Sequence, residues 1–226
     1  MQDCQTIDLG GVNCYLIKTD DGFILIDTGF AAKRTALESA LENVGCQPGK
    51  LALIVLTHGD VDHVGNAAYL RTKYGSPIAM HPADVGMVEK GDMGWNRKVK
   101  PDYTAPLFRL IMLAMPLLGG SDQFDTFTPD STLTEGADLA RYGFAATVLH
   151  LPGHSKGSIG LLTPEGNLFC GDLLYHIFGK PRCLLIDNRA DWTASLAKIK
   201  GLPIKTIYPG HGAPFLWSAS VVGDGG

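Results

Sequence analysis

From His58 to His63 the chain reads H-G-D-V-D-H, two histidines and two aspartates within six positions, directly after the apolar run Leu51–Leu56. Imidazole nitrogens and carboxylate oxygens at this density suit a metal ion, which needs several donors converging at about 2 Å on one point. Three further segments share the make-up. "LPGHSKGS" (151–158), "FCGDLLY" (169–175) and "YPGHG" (208–212) each set a His or Asp beside glycine after a stretch of strand character. Glycine lets the backbone turn sharply, and loops at the ends of rigid strands are where functional side chains collect. One such segment means little; four in one chain point to a metal centre.

The elements that must hold these loops can be read around them. "QTIDL" (5–9), "VNCYLIKT" (12–19) and "GFILIDT" (22–28) alternate as strands, with Gly10-Gly11 and Asp20-Asp21-Gly22 as turns. Apolar residues at Ala36, Leu37, Ala40, Leu41 and Val44 predict a helix over 31–44, ended by Gly45 and Pro48. The continuous apolar run at 51–57 predicts a strand covered on both faces that delivers His58 at its end. A helix over 63–75, a strand over 76–81 and a helix over 82–90 follow. Residues 91–130 break this rhythm and are read as an insertion covering the core, with the apolar stretch 107–120 as a candidate lid. Strands at 144–151, 157–162 and 167–172, a helix at 191–200, a strand at 205–210 and a frayed tail complete the chain. Alternating strands and helices in both halves give a layered α/β fold.

In this order the motifs resemble the metallo-β-lactamase superfamily over nearly the whole chain, "LIDTG" (25–29) included. The resemblance implies a single domain, 1–226, folded as a four-layer αββα sandwich of two related halves, with a helical insertion around 91–130. It implies two divalent ions, zinc first with Mn or Fe as alternatives, and a bridging water or hydroxide as nucleophile. By motif position His58 and His154 match ligands of a first site, Asp62, His63 and His211 match ligands of a second, and Asp172 matches the bridging carboxylate. Asp27 matches a residue that shapes the site floor. The departure is Asp60, because the common pattern is H-x-H-x-D-H and this chain has H-x-D-x-D-H. Its alternate spacing aims it with His58 and Asp62, so it is expected to ligate. Three carboxylates and one hydroxide would then balance two divalent ions, leaving a formally neutral centre that drifts toward Mn or Fe(II). If Asp60 does not ligate, only the second site is expected to be filled. Asp62 and Asp172 are assigned to catalysis as well, and Tyr175 corresponds to a tyrosine that hydrogen-bonds the substrate carbonyl in lactonase members.

The implied function is a metal-dependent hydrolase of an ester, thioester or lactone in a small substrate. A glutathione thioester is disfavoured, since about 15 residues follow His211 where glyoxalase II-type enzymes carry a helical domain. Alternatives within the fold are a nucleic-acid phosphodiesterase, whose DNA-uptake relatives share H-x-D-x-D-H, a di-iron oxidoreductase, and a metal-poor binding module in which Asp60 marks decay of the first site. A net charge of -4 speaks against nucleic acid, and Arg97, Lys98 and Lys100 are read as a solvated basic face. His150 is expected to support the Pro-Gly-His turn, while His81 and His176 are given structural roles. Five scattered cysteines without a C-x-x-C pair, and an N-terminus unlike a signal peptide, suit a reducing cytoplasm. The 107–120 stretch is shorter than the roughly 20 residues that span a bilayer. Oligomeric state is not legible.

Overall fold

The computed structural model describes residues 3–106, 108–110, 123–177 and 179–218. Two sheets carry the site. In the first, β1 (Cys4–Asp8), β2 (Asn13–Lys18) and β3 (Phe23–Ile26) form the expected antiparallel meander. β4 (Leu51–Val55), β5 (Ile78–Met80), and, past the two-residue β6 (Tyr103–Thr104), β7 (Ser131–Thr132) extend it in parallel, giving the order β1-β2-β3-β4-β5-β7. In the second sheet β8 (Thr147–His150), β9 (Ile159–Leu162) and β10 (Asn167–Gly171) run antiparallel. β11 (Leu185–Ile186) pairs with β6 instead. β12 (Thr206–Pro209) lies parallel to β10, and β13 (Phe215–Leu216) closes the edge.

Strand alternation builds the layers. Leu25 of β3 faces an outer core with Leu37 and Leu41 of α1 (Arg34–Asn43), while its neighbours Ile24 and Ile26 face an inner core with Val148, Ile159 and Leu161 of the second sheet. The other face of that sheet, with Leu168 and Ile207, buries Trp192, Leu196 and Ile199 of the C-terminal helix Arg189–Lys200. Three cores between four layers make the αββα sandwich that the motif order implies.

The helix expected over 63–75 divides into α2 (Val61–Val64) and α3 (Ala67–Tyr74), with Gly65-Asn66 between them. Asn66 is fully buried, and its side-chain amide donates to the carbonyls of Thr28 and Phe30. A Cβ on Gly65 would collide with the backbone of Gly29 and Phe30, so the break lets the helix pair press against the "LIDTG" turn. α4 (Val85–Lys90) follows a single 3-10 turn at Pro82–Asp84. Residues 111–122, most of the candidate lid, and the tail from 219 lie outside the described residues. Among those described, no helix is long and apolar enough to cross a membrane.

Candidate metal centre

The loop after β4, the loops after β8 and β10 and the turn after β12 meet along one edge of the sandwich. Asp172 is central: Oδ2 lies 3.9 Å from His58 Nε2, 3.7 Å from His154 Nε2 and 3.3 Å from His211 Nε2, and Oδ1 lies 3.3 Å from His63 Nε2. Two half-sites flank it. In the first, Asp60 Oδ2 is 3.5 Å from His58 Nε2 and 2.9 Å from His154 Nε2. In the second, Asp62 Oδ2 is 3.7 Å from His63 Nε2 and 3.3 Å from His211 Nε2. All seven residues expected as ligands therefore converge, and Asp60 stands in the first half-site as its spacing predicts.

Each histidine turns its Nδ1 outward to an oxygen. His63 Nδ1 donates to Asp27 at 2.8 Å, and His58 Nδ1 donates at 3.0 Å to Thr57 Oγ1, which in turn donates to Asp27 at 2.8 Å. His154 Nδ1 donates to the Leu185 carbonyl at 3.0 Å and His211 Nδ1 to that of Gly11. With the proton on Nδ1, every Nε2 lone pair faces inward, the tautomer a metal requires. Asp27 holds its place at φ 60, a left-handed backbone that aspartate tolerates better than most side chains.

The donor set fits an ion. His58 Nε2, Asp60 Oδ1, His63 Nε2 and Asp172 Oδ1 are buried without a hydrogen-bond partner in the chain, a costly state unless something cationic satisfies them. Gly210 leaves room for the centre, since a Cβ there would collide with Asp172 Oδ1 and reach within 2.8 Å of His63 Cε1. Among themselves the carboxylates and rings favour opposite charges. Burial alone would raise Asp172, yet His211 and His63 hold it well below the usual carboxylate range. Burial likewise opposes the charge on His211, but Asp172 and Asp62 prevail and push it up to about 10.

Tyr175 is buried, stacks on His211 with 4.8 Å between ring centroids, and donates its hydroxyl to Asp172 Oδ2. Burial first, then Asp172, raises the phenol well above its ordinary pKa, so it stays a donor. The centre floors a cavity of about 310 Å³ whose walls are apolar, with Phe30, Met93, Phe108, Ile177 and Leu184 among them.

Two residues here carried no sequence signal. Asp84, fully buried, accepts from Gly59 N at 3.2 Å, Gly157 N at 2.8 Å, Ser155 Oγ at 2.6 Å and Asn96 Nδ2 at 2.9 Å, tying together the loops that carry His58 and His154. Arg97 corrects the reading of a solvated face: its side chain is 12% exposed and donates to Asp60 Oδ2 at 2.8 Å. The formally neutral centre was counted without this guanidinium. His150 supports its turn as expected, pairing Nε2 with the Lys156 carbonyl at 2.8 Å, and His176 binds the Ala213 carbonyl.

The sequence model of the Metallo-beta-lactamase superfamily matches residues 7–211. The chain belongs to this superfamily. Within it, the hydroxyacylglutathione hydrolase GloC of Haemophilus influenzae is 32% identical over 166 residues, taking in 72% of this chain and 66% of that protein, just under two thirds of its length. Two solved structures of the fold cover 95% of this chain and 94% of their own. One, solved in a di-iron-bound form, is 30% identical with a TM-score of 0.67, and the other, the B3 metallo-beta-lactamase BLEG-1, is 25% identical with a TM-score of 0.71. The His and Asp clusters of this member could hold metal ions, and its motif variant at Asp60 sits inside one of them.

Proposed function

We propose that this superfamily member is a metal-dependent hydrolase cleaving a thioester, ester or lactone in a small substrate with an apolar portion. The observation that carries the reading is four inward imidazole Nε2 atoms and three carboxylates at the floor of an apolar-walled cavity. Similarity to a hydroxyacylglutathione hydrolase puts the thioester first among the three bonds. Asp62, His63 and His211 would hold one ion, His58, Asp60 and His154 a second, and Asp172 would reach both. Zinc is the first choice, with Mn or Fe as alternatives in view of the di-iron relative and the oxygen-rich donor set. When bound, the ions supply carbonyl polarisation and water activation.

The chain's own groups do the rest. Asp172 and Asp62, each with a carboxylate oxygen 3.3 Å from His211 Nε2, would orient the attacking water. Tyr175, held neutral in the cavity wall, would turn its O–H from Asp172 to the substrate carbonyl oxygen as negative charge develops there. The apolar walls take the acyl or ring portion and exclude bulk water. Five unpaired thiols, four of them buried, support a reducing compartment such as the cytoplasm.

The test is metal content after purification without added metal, with hydrolysis of thioester, lactone and bis-nitrophenyl phosphate substrates by the parent and by Asp172→Ala. Metal-dependent turnover of a carbonyl substrate is expected, falling by at least about a hundredfold in the variant together with loss of an ion, while circular dichroism stays unchanged. Turnover of the phosphodiester alone, or undiminished activity of Asp172→Ala, overturns the reading.

A further inference from the structure

Arg97 is delivered into the first half-site by a segment built to hold it. On one side Asn96 donates to Asp84 Oδ1 at 2.9 Å and to the Ala83 carbonyl; on the other Lys98 N donates to the buried Asp187 at 2.9 Å. Trp95 lies against Gly86, where any Cβ would collide with the indole, and the Lys90 ammonium sits 3.7 Å from the indole ring centre. The segment is therefore clamped to α4, and Asp84 fixes it together with the loops bearing Asp60 and His154.

The guanidinium meets the atoms that an ion would need. Arg97 Nη2 is 2.8 Å from Asp60 Oδ2 and 3.3 Å from His154 Nε2. An ion in that half-site would have to stand at about 2.0–2.2 Å from the same oxygen and nitrogen. It must displace the guanidinium or share one carboxylate with it at short range, against like-charge repulsion between groups that are both largely buried. Among the described residues the other half-site shows no such rival in its ion pairs, since Asp62 pairs with His63 and His211. Charge counting agrees: Asp60, Asp62 and Asp172 carry three negative charges, which one divalent ion and Arg97 balance without a second ion.

Resting on the metal reading above, we propose that Arg97 is a built-in competitor for the first half-site. One ion is held tightly by Asp62, His63, His211 and Asp172, and the His58, Asp60 and His154 half-site binds its ion at least about tenfold more weakly because the guanidinium holds Asp60. Arg97 is thus a residue that sets metal stoichiometry, and it stands as a fixed cation beside the cavity where a second ion would otherwise be.

The test titrates chelator-stripped protein with Zn(II), and separately Mn(II), by calorimetry, with ions per chain counted by mass spectrometry after gel filtration. The parent is expected to retain one ion, with a second event at least tenfold weaker. Arg97→Gln should bind two ions with affinities within a few-fold, and Arg97→Lys, which keeps a cation there, should remain closer to the parent. Two equal sites in the parent, or an unchanged second event in Arg97→Gln, overturns the competition while leaving the metal reading intact. Absence of ion binding in all three overturns both.

Discussion

The four histidines of the centre are oriented in two different ways, and the division follows the two halves of the molecule. His58 and His63, from the first half, send their Nδ1 protons to a side-chain network that ends on the buried carboxylate of Asp27. His154 and His211, from the second half, send theirs to the backbone carbonyls of Leu185 and Gly11. A carboxylate acceptor makes the imidazole a stronger donor to an ion than a carbonyl does. It also places that control in a residue that can be exchanged, whereas a carbonyl acceptor is fixed by the chain trace. With an ion bound, the first half would therefore tune its histidines, and the second merely aim them.

Asp27→Asn should break this contrast most strongly. Asparagine keeps the left-handed backbone and much of the shape but removes the charge that serves both His63 and, through Thr57, His58. Metal affinity should fall about 10- to 100-fold, measured by competition with a chromophoric chelator, and an unchanged affinity would mean that the two halves aim their histidines equivalently. Thr57→Val sharpens the comparison with a smaller effect. It cuts only the relay from His58 to Asp27 and leaves the direct bond of His63, so affinity should drop less than in Asp27→Asn, and the loss should fall on the first half-site. A loss equal to that of Asp27→Asn would show that the direct bond to His63 contributes little.

The smallest expected effect lies away from the metal, where the halves meet through stacked rings. His81 at the end of β5 lies on His150 at the end of β8, with 4.1 Å between centroids and 8° between planes. Burial, and next the charge of His150, lower the His81 pKa from 6.5 to about 4. A histidine depressed in the folded state takes up more protons when unfolded. Stability is therefore complete above about pH 6.5 and declines as pH falls toward 4. His81→Asn, which keeps an acceptor for the Ala83 amide, should flatten the fall of melting temperature over that window. An equal slope in parent and variant would place the sensitivity elsewhere.

Much of the centre was legible because its signals are local. The H-G-D-V-D-H loop carries four donors within one turn of chain, and the β4 run before it announces a strand buried on both faces. His154, Asp172 and His211 were each weak alone and gained weight only as repeats of the same loop chemistry. Arg97 and Asp84 left no trace, since an arginine in a basic cluster and an aspartate before a helix are ordinary surface residues until packing says otherwise. The two-residue strands β6, β7 and β11 escaped for a related reason: each is held by a partner remote in sequence, and no two-residue pattern, that of β13 included, carries a period.

By itself, then, the sequence determined the strand alternation that covers both sheets, the glycine-flanked loops at strand ends and the seven histidines and aspartates set on them, because these depend on neighbours within a few positions. The tertiary structure alone decided which oxygen takes each Nδ1 proton, that Asp84 ties the His58 and His154 loops together, and that Arg97 crosses 37 positions to meet Asp60. Those contacts are set by how the two sheets and the 91–98 segment stack. Their partners are chosen by proximity in the fold, and no local rule of propensity or spacing encodes that proximity.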